Sequence, residues 1–317
     1  MRNRLWHTCD RLVPCMFTDV DVVSDVISAM RLGKPHSTRT ERRAPWAVRH
    51  EPFAGAGFHL VLEGTCWLTT PDGTRIELRA GDVAFLPHGS GHALAGDPAA
   101  PTDVPPVPLT DPSDAPGEGP RTVMLCGAYL MDRSWPHPLL RELPDLVHLP
   151  GGLGRHQSLR GAVELLATEL TWPRLGRDAV VPALLDALLL YMIRAWLEDQ
   201  PEGSGWTTAV RDPAVRTALL GIHSTPSRQW TVASLGELAG LSRAAFARRF
   251  TSLIGQPPLA YLTWWRMILA ARLLRASDAP LRTVAAQVGY TSEFAFGAAF
   301  KRQHGLTPGT YRRKGTT

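Results

Sequence analysis

The stretch Leu241-Ser242-Arg243-Ala244-Ala245-Phe246-Ala247-Arg248-Arg249-Phe250, continued by Gly255, Pro258 and Tyr261, decides the reading, because its skeleton returns at Ser292, Phe296, Phe300, Gly305, Pro308 and Tyr311. All six identities share one offset of 50 residues, and a repeated unit sets the architecture before any weaker signal. In each copy Ser stands where it can cap a helix, two Phe lie on one face at i and i+4, and Gly falls where a helix stops. A shorter helical segment precedes each copy: Val232 to Ala239, with Thr231 as its expected cap, and Leu281 to Val288. The turns between are Gly240-Leu241 and Gly289-Tyr290-Thr291. Helix, tight Gly turn and helix is the sequence form of a helix-turn-helix.

With Phe246 and Phe250 inward, Arg243, Ala244, Ala247 and Arg248 face outward, where a recognition helix meets base edges and phosphates. The run Trp264 to Arg275 predicts a helix of roughly 18 Å that holds the two units apart. The second copy carries Glu293, Phe294, Gly297 and Ala298 at its outward positions, so it offers few hydrogen bonds to bases. The first unit is therefore expected to read sequence, and the second to hold the backbone or apolar thymine methyls. Charge agrees: Trp206 to Thr317 contains 15 Lys and Arg against 4 Asp and Glu, whereas the preceding residues are net acidic. Basic charge gathered on the helix-turn-helix region is the footprint of a nucleic-acid binder.

Further matches lie at Trp230-Thr231, Gly255-x-x-Pro258-x-x-Tyr261-Leu262, Val284-Ala285-x-x-Val288-Gly289-Tyr290 and Phe300-Lys301-Arg302. On these, residues 213 to 312 resemble the DNA-binding domain of the AraC/XylS family of bacterial transcription regulators. The resemblance implies double-stranded DNA as partner. The DNA-contacting set is then Ser242, Arg243, Ala244, Ala247, Arg248 and Arg249 in the first unit, with Ser292, Glu293, Phe294, Gly297, Lys301 and Arg302 in the second. Arg243 and Arg248 are assigned to base edges, and Arg249, Lys301 and Arg302 to phosphate. Activation, contact with RNA polymerase and a homodimer are what the family implies.

Upstream the pattern changes. From Ala44 to Leu94, short runs with turn signals predict antiparallel strands: Phe58 to Leu62, Cys66 to Thr69, a Pro71-Asp72-Gly73 turn, then Arg75 to Leu78. Gly81-Asp82, Pro87-His88-Gly89 and His92, preceded by Val61-Leu62-Glu63-Gly64, resemble the second motif of cupin barrels, the small jelly-roll that serves as sensor domain in many AraC-type regulators. Gly64-Thr65-Cys66-Trp67-Leu68 and Cys126-Gly127 extend the resemblance. It implies His92 as an inward residue, and alternation through Val61 puts His59 on the same face. The expected pocket for an unidentified effector is His59, Val61, Trp67 and His92. A metal cofactor on His59 and His92 is a candidate that Glu63, His88, Cys66 or Cys126 would complete; the first cupin metal motif is missing, with Ala56 and Gly57 about where its ligands would be.

The expected fold class is α+β in two domains: a cupin-like barrel with a helical pair, then an all-α double helix-turn-helix joined by a linker helix. The boundaries are 1–20, an arm without periodicity; 21–150, the barrel, interrupted by an extended or disordered Pro-rich loop at 97–120 with eight prolines; 151–199, a helical dimerisation region; 200–210, a linker; and 211–315, the DNA-binding domain. No stretch resembles a signal peptide or membrane span, so a cytoplasmic, nucleoid-associated protein with no membrane partner is expected. The four cysteines are too few and scattered for a disulfide scaffold. The primary reading is a regulator and not an enzyme. The alternatives are a metal- or redox-sensing regulator using barrel His and Cys residues, or a cupin enzyme.

Overall fold

The computed structural model describes residues 21–115, 117–131, 137–152, 156–172, 174–201 and 205–314; the expected arm, 1–20, with Cys9 and Cys15, lies outside them. Helix α1 (Val22–Met30), capped by Asp21, leads into β1 (Arg31–Arg43), β2 (Ala47–His50), β3 (Gly55–Glu63), β4 (Thr65–Thr69), β5 (Arg75–Arg79), β6 (Val83–Leu86), β7 (His92–Ala95), β8 (Arg121–Met131) and, after helix α2 (Pro138–Glu142), β9 (Val147–Leu149). Two antiparallel sheets result, β1-β8-β3-β6-β9 and β2-β7-β4-β5.

Strand alternation gives the larger sheet two different faces. On β3, Phe58 and Leu60 join the cluster that packs on the helices, whereas Val61 joins Val48, Cys66, Leu68, Leu94, Met124 and Cys126 in the barrel interior. Gly127 stands opposite Phe58, and any Cβ there would collide with that ring. The helical cover is α3 (Gln157–Thr171) with α4 (Arg177–Asp199). Among the described helices, α4 is the one long and apolar enough to cross a membrane. Its Leu185, Leu188, Leu189, Met192 and Ile193 are instead buried against the sheet, and the Tyr129 hydroxyl donates to the Leu185 carbonyl at 2.6 Å.

Two expectations are corrected and a third is narrowed. Strand β1, between α1 and Ala44, is missing from the sequence reading because its buried positions are polar, Thr40 and Arg42 among them, and give no hydrophobic period. Of the two readings of the Pro-rich segment, the described residues take the extended one and form no helix or strand, but they are tied to the sheets. Its Ala115 carbonyl accepts from the Arg43 amide, its Val107 amide donates to the Arg49 carbonyl, and Leu109 is buried. It thus bridges β1 and β2, the open edges of the two sheets, and closes the barrel on that side. The linker is not wholly irregular either: α5 (Gly205–Arg211) buries Trp206 completely and donates the Trp206 amide to Glu142 on α2.

The remaining helices are α6 (Pro213–Ser224), α7 (Val232–Leu238), α8 (Arg243–Ile254), α9 (Pro258–Ala276), α10 (Leu281–Gln287), α11 (Glu293–His304) and α12 (Pro308–Lys314). Thr231 caps α7 in a reciprocal box with Ser234, and Asp212 caps α6 through the Val215 amide. At 19 residues, α9 spans about 28 Å. Its first half, through Tyr261, Trp264 and Trp265, belongs to a core continuous with the barrel region, and its second half, through Met267, Ala270 and Leu274, to a separate core under α10 and α11.

Candidate functional sites: recognition helices and barrel histidines

Helices α8 and α11 are built alike. Ser242 accepts from the Ala245 amide and Ser292 from the Ala295 amide, each at 3.3 Å. The glycines Gly255 and Gly305 close the two helices at φ of 79° and 70°, a left-handed conformation that strains any side chain. Phe246, Phe250, Phe296 and Phe300 are fully buried, so the remaining faces are turned outward by geometry alone.

Arg243, Ala244 and Arg248 are exposed and Ala247 half-buried on α8. On α11, Glu293 is exposed, Gly297 half-buried, and Phe294 is 91% exposed, an apolar ring held in water. Lys301 and Arg302 are exposed in the last turn, where cations also favour the helix dipole. Arg249, assigned to phosphate from sequence, is engaged elsewhere in the free chain. Its Nε donates to Asp212 at 2.7 Å with a second bond from Nη2, which fastens α8 to the start of α6.

Inside the barrel, His59 and His92 face each other, with 2.7 Å between their Nε2 atoms. The sequence reading missed their third neighbour, His50, which pairs with His92 across β2 and β7. The signal was present in the alternation of Val48 and His50 about outward Arg49, in a strand too short to stand out. Of the suggested completing ligands, Glu63 is exposed and bonded to Arg121, His88 meets the Leu143 carbonyl at 2.8 Å, and the Cys66 thiol meets Met124 Sδ at 3.7 Å. Cys126 Sγ is 3.0 Å from His59 Nδ1. Trp67 is corrected: Cys66 and Leu68 point inward, so Trp67 between them stands on the outer face and lines no interior pocket.

The protons can be placed by elimination. His92 Nδ1 lies 2.9 Å from the Ser90 carbonyl and His50 Nδ1 3.0 Å from the Val107 carbonyl, so both donate there and leave their Nε2 lone pairs free. His59 then donates from Nε2 to His92, and its Nδ1 accepts from the Cys126 thiol. Burial pushes all three imidazoles below their ordinary range, His92 to about 4, with His92 and His50 adding to the depression at His59. Burial likewise pushes the Cys126 thiol up to about 12, and raises that of Cys66. Such thiols are poor nucleophiles.

A second buried chain crosses from the barrel region to the helix-turn-helix region. His137 Nδ1 accepts from the Leu139 amide, so its Nε2 donates to Tyr261 Oη at 3.1 Å. Tyr261 donates to His223 Nε2 at 2.8 Å, and His223 Nδ1 donates to Asp25 on α1 at 3.3 Å. Helix α9 is thereby held at one hydroxyl by α6 and by two parts of the barrel region, α1 through Asp25 and the start of α2.

A barrel followed by two capped helix-turn-helix units defines a class, the DNA-binding transcription regulators with an attached cupin domain. Residues 21–198 match the cupin family and residues 235–314 the helix-turn-helix domain family. Similar proteins include a putative AraC-like transcription regulator of Streptomyces lividans, 35% identical over 94% of this chain and 99% of that one. The HTH-type transcriptional regulator AlkR of Acinetobacter baylyi is 28% identical over 93% of this chain and 100% of its own length. The RCS-specific HTH-type transcriptional activator RclR of Escherichia coli is 28% identical over 85% and 89%. The chain belongs to the AraC-type family of DNA-binding transcription regulators.

Proposed function

We propose that this protein is a one-component transcription activator whose affinity for its operator is set by a signal received inside the barrel. The reading is carried by one observation: α8 presents Arg243 and Arg248 in water from a helix whose other face is locked by two fully buried phenylalanines. Their fork geometry suits guanine edges in the major groove. Helix α11 meets the next groove with Phe294 on apolar groups and with Lys301 and Arg302 on phosphate.

The signal reaches DNA through α9, because its first half shares a core with the sensor and its second half carries the second unit. The homodimer forms through α3 and α4, a reading supported by Leu165, Trp172, Leu175 and Val180, which stand exposed around their junction. Activation follows the family pattern and the activator RclR, with RNA polymerase as the further partner and the cytoplasm as the place of work. The protein acts by binding and not by turnover.

Binding isotherms at several salt concentrations test this. Arg243→Ala or Arg248→Ala should cost about 1–3 kcal/mol on DNA selected from a random pool and little on random DNA, whereas Lys301→Ala should weaken both equally and reduce the salt slope by about 1. Equal losses on selected and random DNA for Arg243→Ala would overturn the assignment of α8 as the reader.

A further inference from the structure

We infer that the three barrel histidines form a transition-metal site that prefers cuprous copper, an inference that rests on the barrel being the sensor. The rings of His50, His59 and His92 lie with centroids 4.9–5.4 Å apart, on three strands from both sheets, and one ligand nitrogen from each falls within 4.8 Å of the others. Metal bonds of about 2.0–2.1 Å place tetrahedral imidazole nitrogens roughly 3.4 Å apart, so side-chain shifts of an ångström or so close the set.

The surroundings are those of a ligand set and not of core filling. His50 and His92 have Nδ1 fastened to backbone carbonyls, which fixes the tautomer whose Nε2 can coordinate. His59 joins by the tautomer shift that carries its proton from Nε2 to Nδ1; the Nδ1–H then donates a hydrogen bond to the Cys126 sulfur, whose own S–H turns away. The carbonyl holding His50 comes from the Pro-rich segment, so that segment's order has a purpose beyond closing the barrel. A groove of about 430 Å³ reaches the site from outside; His50 and His92 line it with Glu51, Thr69 and Thr102.

Charge selects the ion. The cluster contains three neutral imidazoles and no carboxylate. The nearby Arg42 guanidinium, which acts on His50 and His59, is paired at 3.7 Å with Asp111, which acts on His50 in the opposite sense, so the surroundings supply no net negative charge. Desolvation cost grows with the square of charge, so a monovalent ion costs about a quarter of a divalent one in such a site. Imidazole suits both copper and zinc, while the sulfur of Cys126, 3.0 Å from His59 Nδ1, favours the softer ion.

The test uses full-length protein prepared metal-free and reduced. It is titrated anaerobically with Cu(I) against a chromophoric cuprous chelator and separately with Zn(II) against a zinc chelator, for the native chain, His50→Gln, His92→Gln and His88→Gln. The expected result is one Cu(I) per chain, bound at least about 100-fold less tightly by His50→Gln and His92→Gln and unchanged in His88→Gln. Circular dichroism of the metal-free variants guards against simple misfolding, and Cu(I) should raise the melting temperature of the native chain but not of the two cluster variants. No stoichiometric Cu(I), equal binding by His50→Gln, or tighter zinc than copper would each overturn the inference. Affinity for selected DNA is measured with and without Cu(I): a bound ion that leaves it unchanged would keep the site and refute the sensor reading, whereas absent binding would refute the site alone.

Discussion

The two helix-turn-helix units share a scaffold and differ in what surrounds it. Both recognition helices start on a serine cap, end on a left-handed glycine and bury two phenylalanines, with ring centroids 5.5 Å apart in one and 5.8 Å in the other. Yet Arg243 and Arg248 are answered at the 50-residue offset by Glu293 and Ala298, and Thr251 and Ser252 by Lys301 and Arg302. Basic charge moves from the head and middle of one helix to the tail of the other. The context differs too: Phe246 packs in a core continuous with the barrel region, Phe296 in a core apart from it. A repeat conserves what folds the unit and leaves free what each unit touches.

The largest expected difference concerns the phenylalanines. Phe246→Ala and Phe296→Ala should each remove about 3–5 kcal/mol of local stability. Calorimetry should show the first lowering the main transition shared with the sensor and the second detaching a separate, earlier transition; identical thermograms would dissolve the distinction between the cores.

Acid should act next, and on one side. His50, His59, His92, His137 and His223 are buried with their imidazoles pushed below the ordinary value, chiefly by desolvation. Between the folded value and about 6.5 the unfolded chain binds more protons, so stability is present above that window and is lost as pH falls through it. His92, at about 4, alone costs about 2 kcal/mol by pH 5. Melting followed at pH 7.5 and 5 should show the transition of sensor and first unit falling the further.

The paired tyrosines sharpen the comparison. Tyr261→Phe takes the shared hydroxyl from buried His137 and His223 and should cost about 1–3 kcal/mol, with looser coupling of sensor to DNA affinity. Tyr311→Phe, at a half-buried position beside Arg275, should cost less. Smallest of all, Ser242→Ala and Ser292→Ala should each cost about 1 kcal/mol, equally, since each serine makes the same capping bond at 3.3 Å. Chemical denaturation of single and double variants measures both pairs.

Legibility followed the reach of the interactions. Helix caps, glycine stops and phenylalanine faces depend on residues within one turn, and α7, α8, α10 and α11 lie within a residue or so of where the sequence puts them, whereas α9 begins at Pro258, six residues before the expected Trp264. The inward direction of His59, Val61 and His92 was likewise readable from alternation and motif spacing. Strand β1 escaped because its pairing with β8, nearly a hundred residues on, and not its own apolar pattern, makes it a strand. Trp67 was misplaced because a strand's facing is set by its partner sheet, and its neighbours Cys66 and Leu68 claim the interior.

By itself, then, the sequence determined the repeat, the caps, the family and the exposed basic face of α8, since each is written in short, fixed spacings of residue types. Tertiary structure alone decided that His50 joins His59 and His92, that the Pro-rich segment orients it, and that Tyr261 ties α9 to the barrel region. Those contacts join strands and helices tens to more than a hundred residues apart. No local period encodes them: they exist only because burial brings polar groups together and obliges each to find a partner.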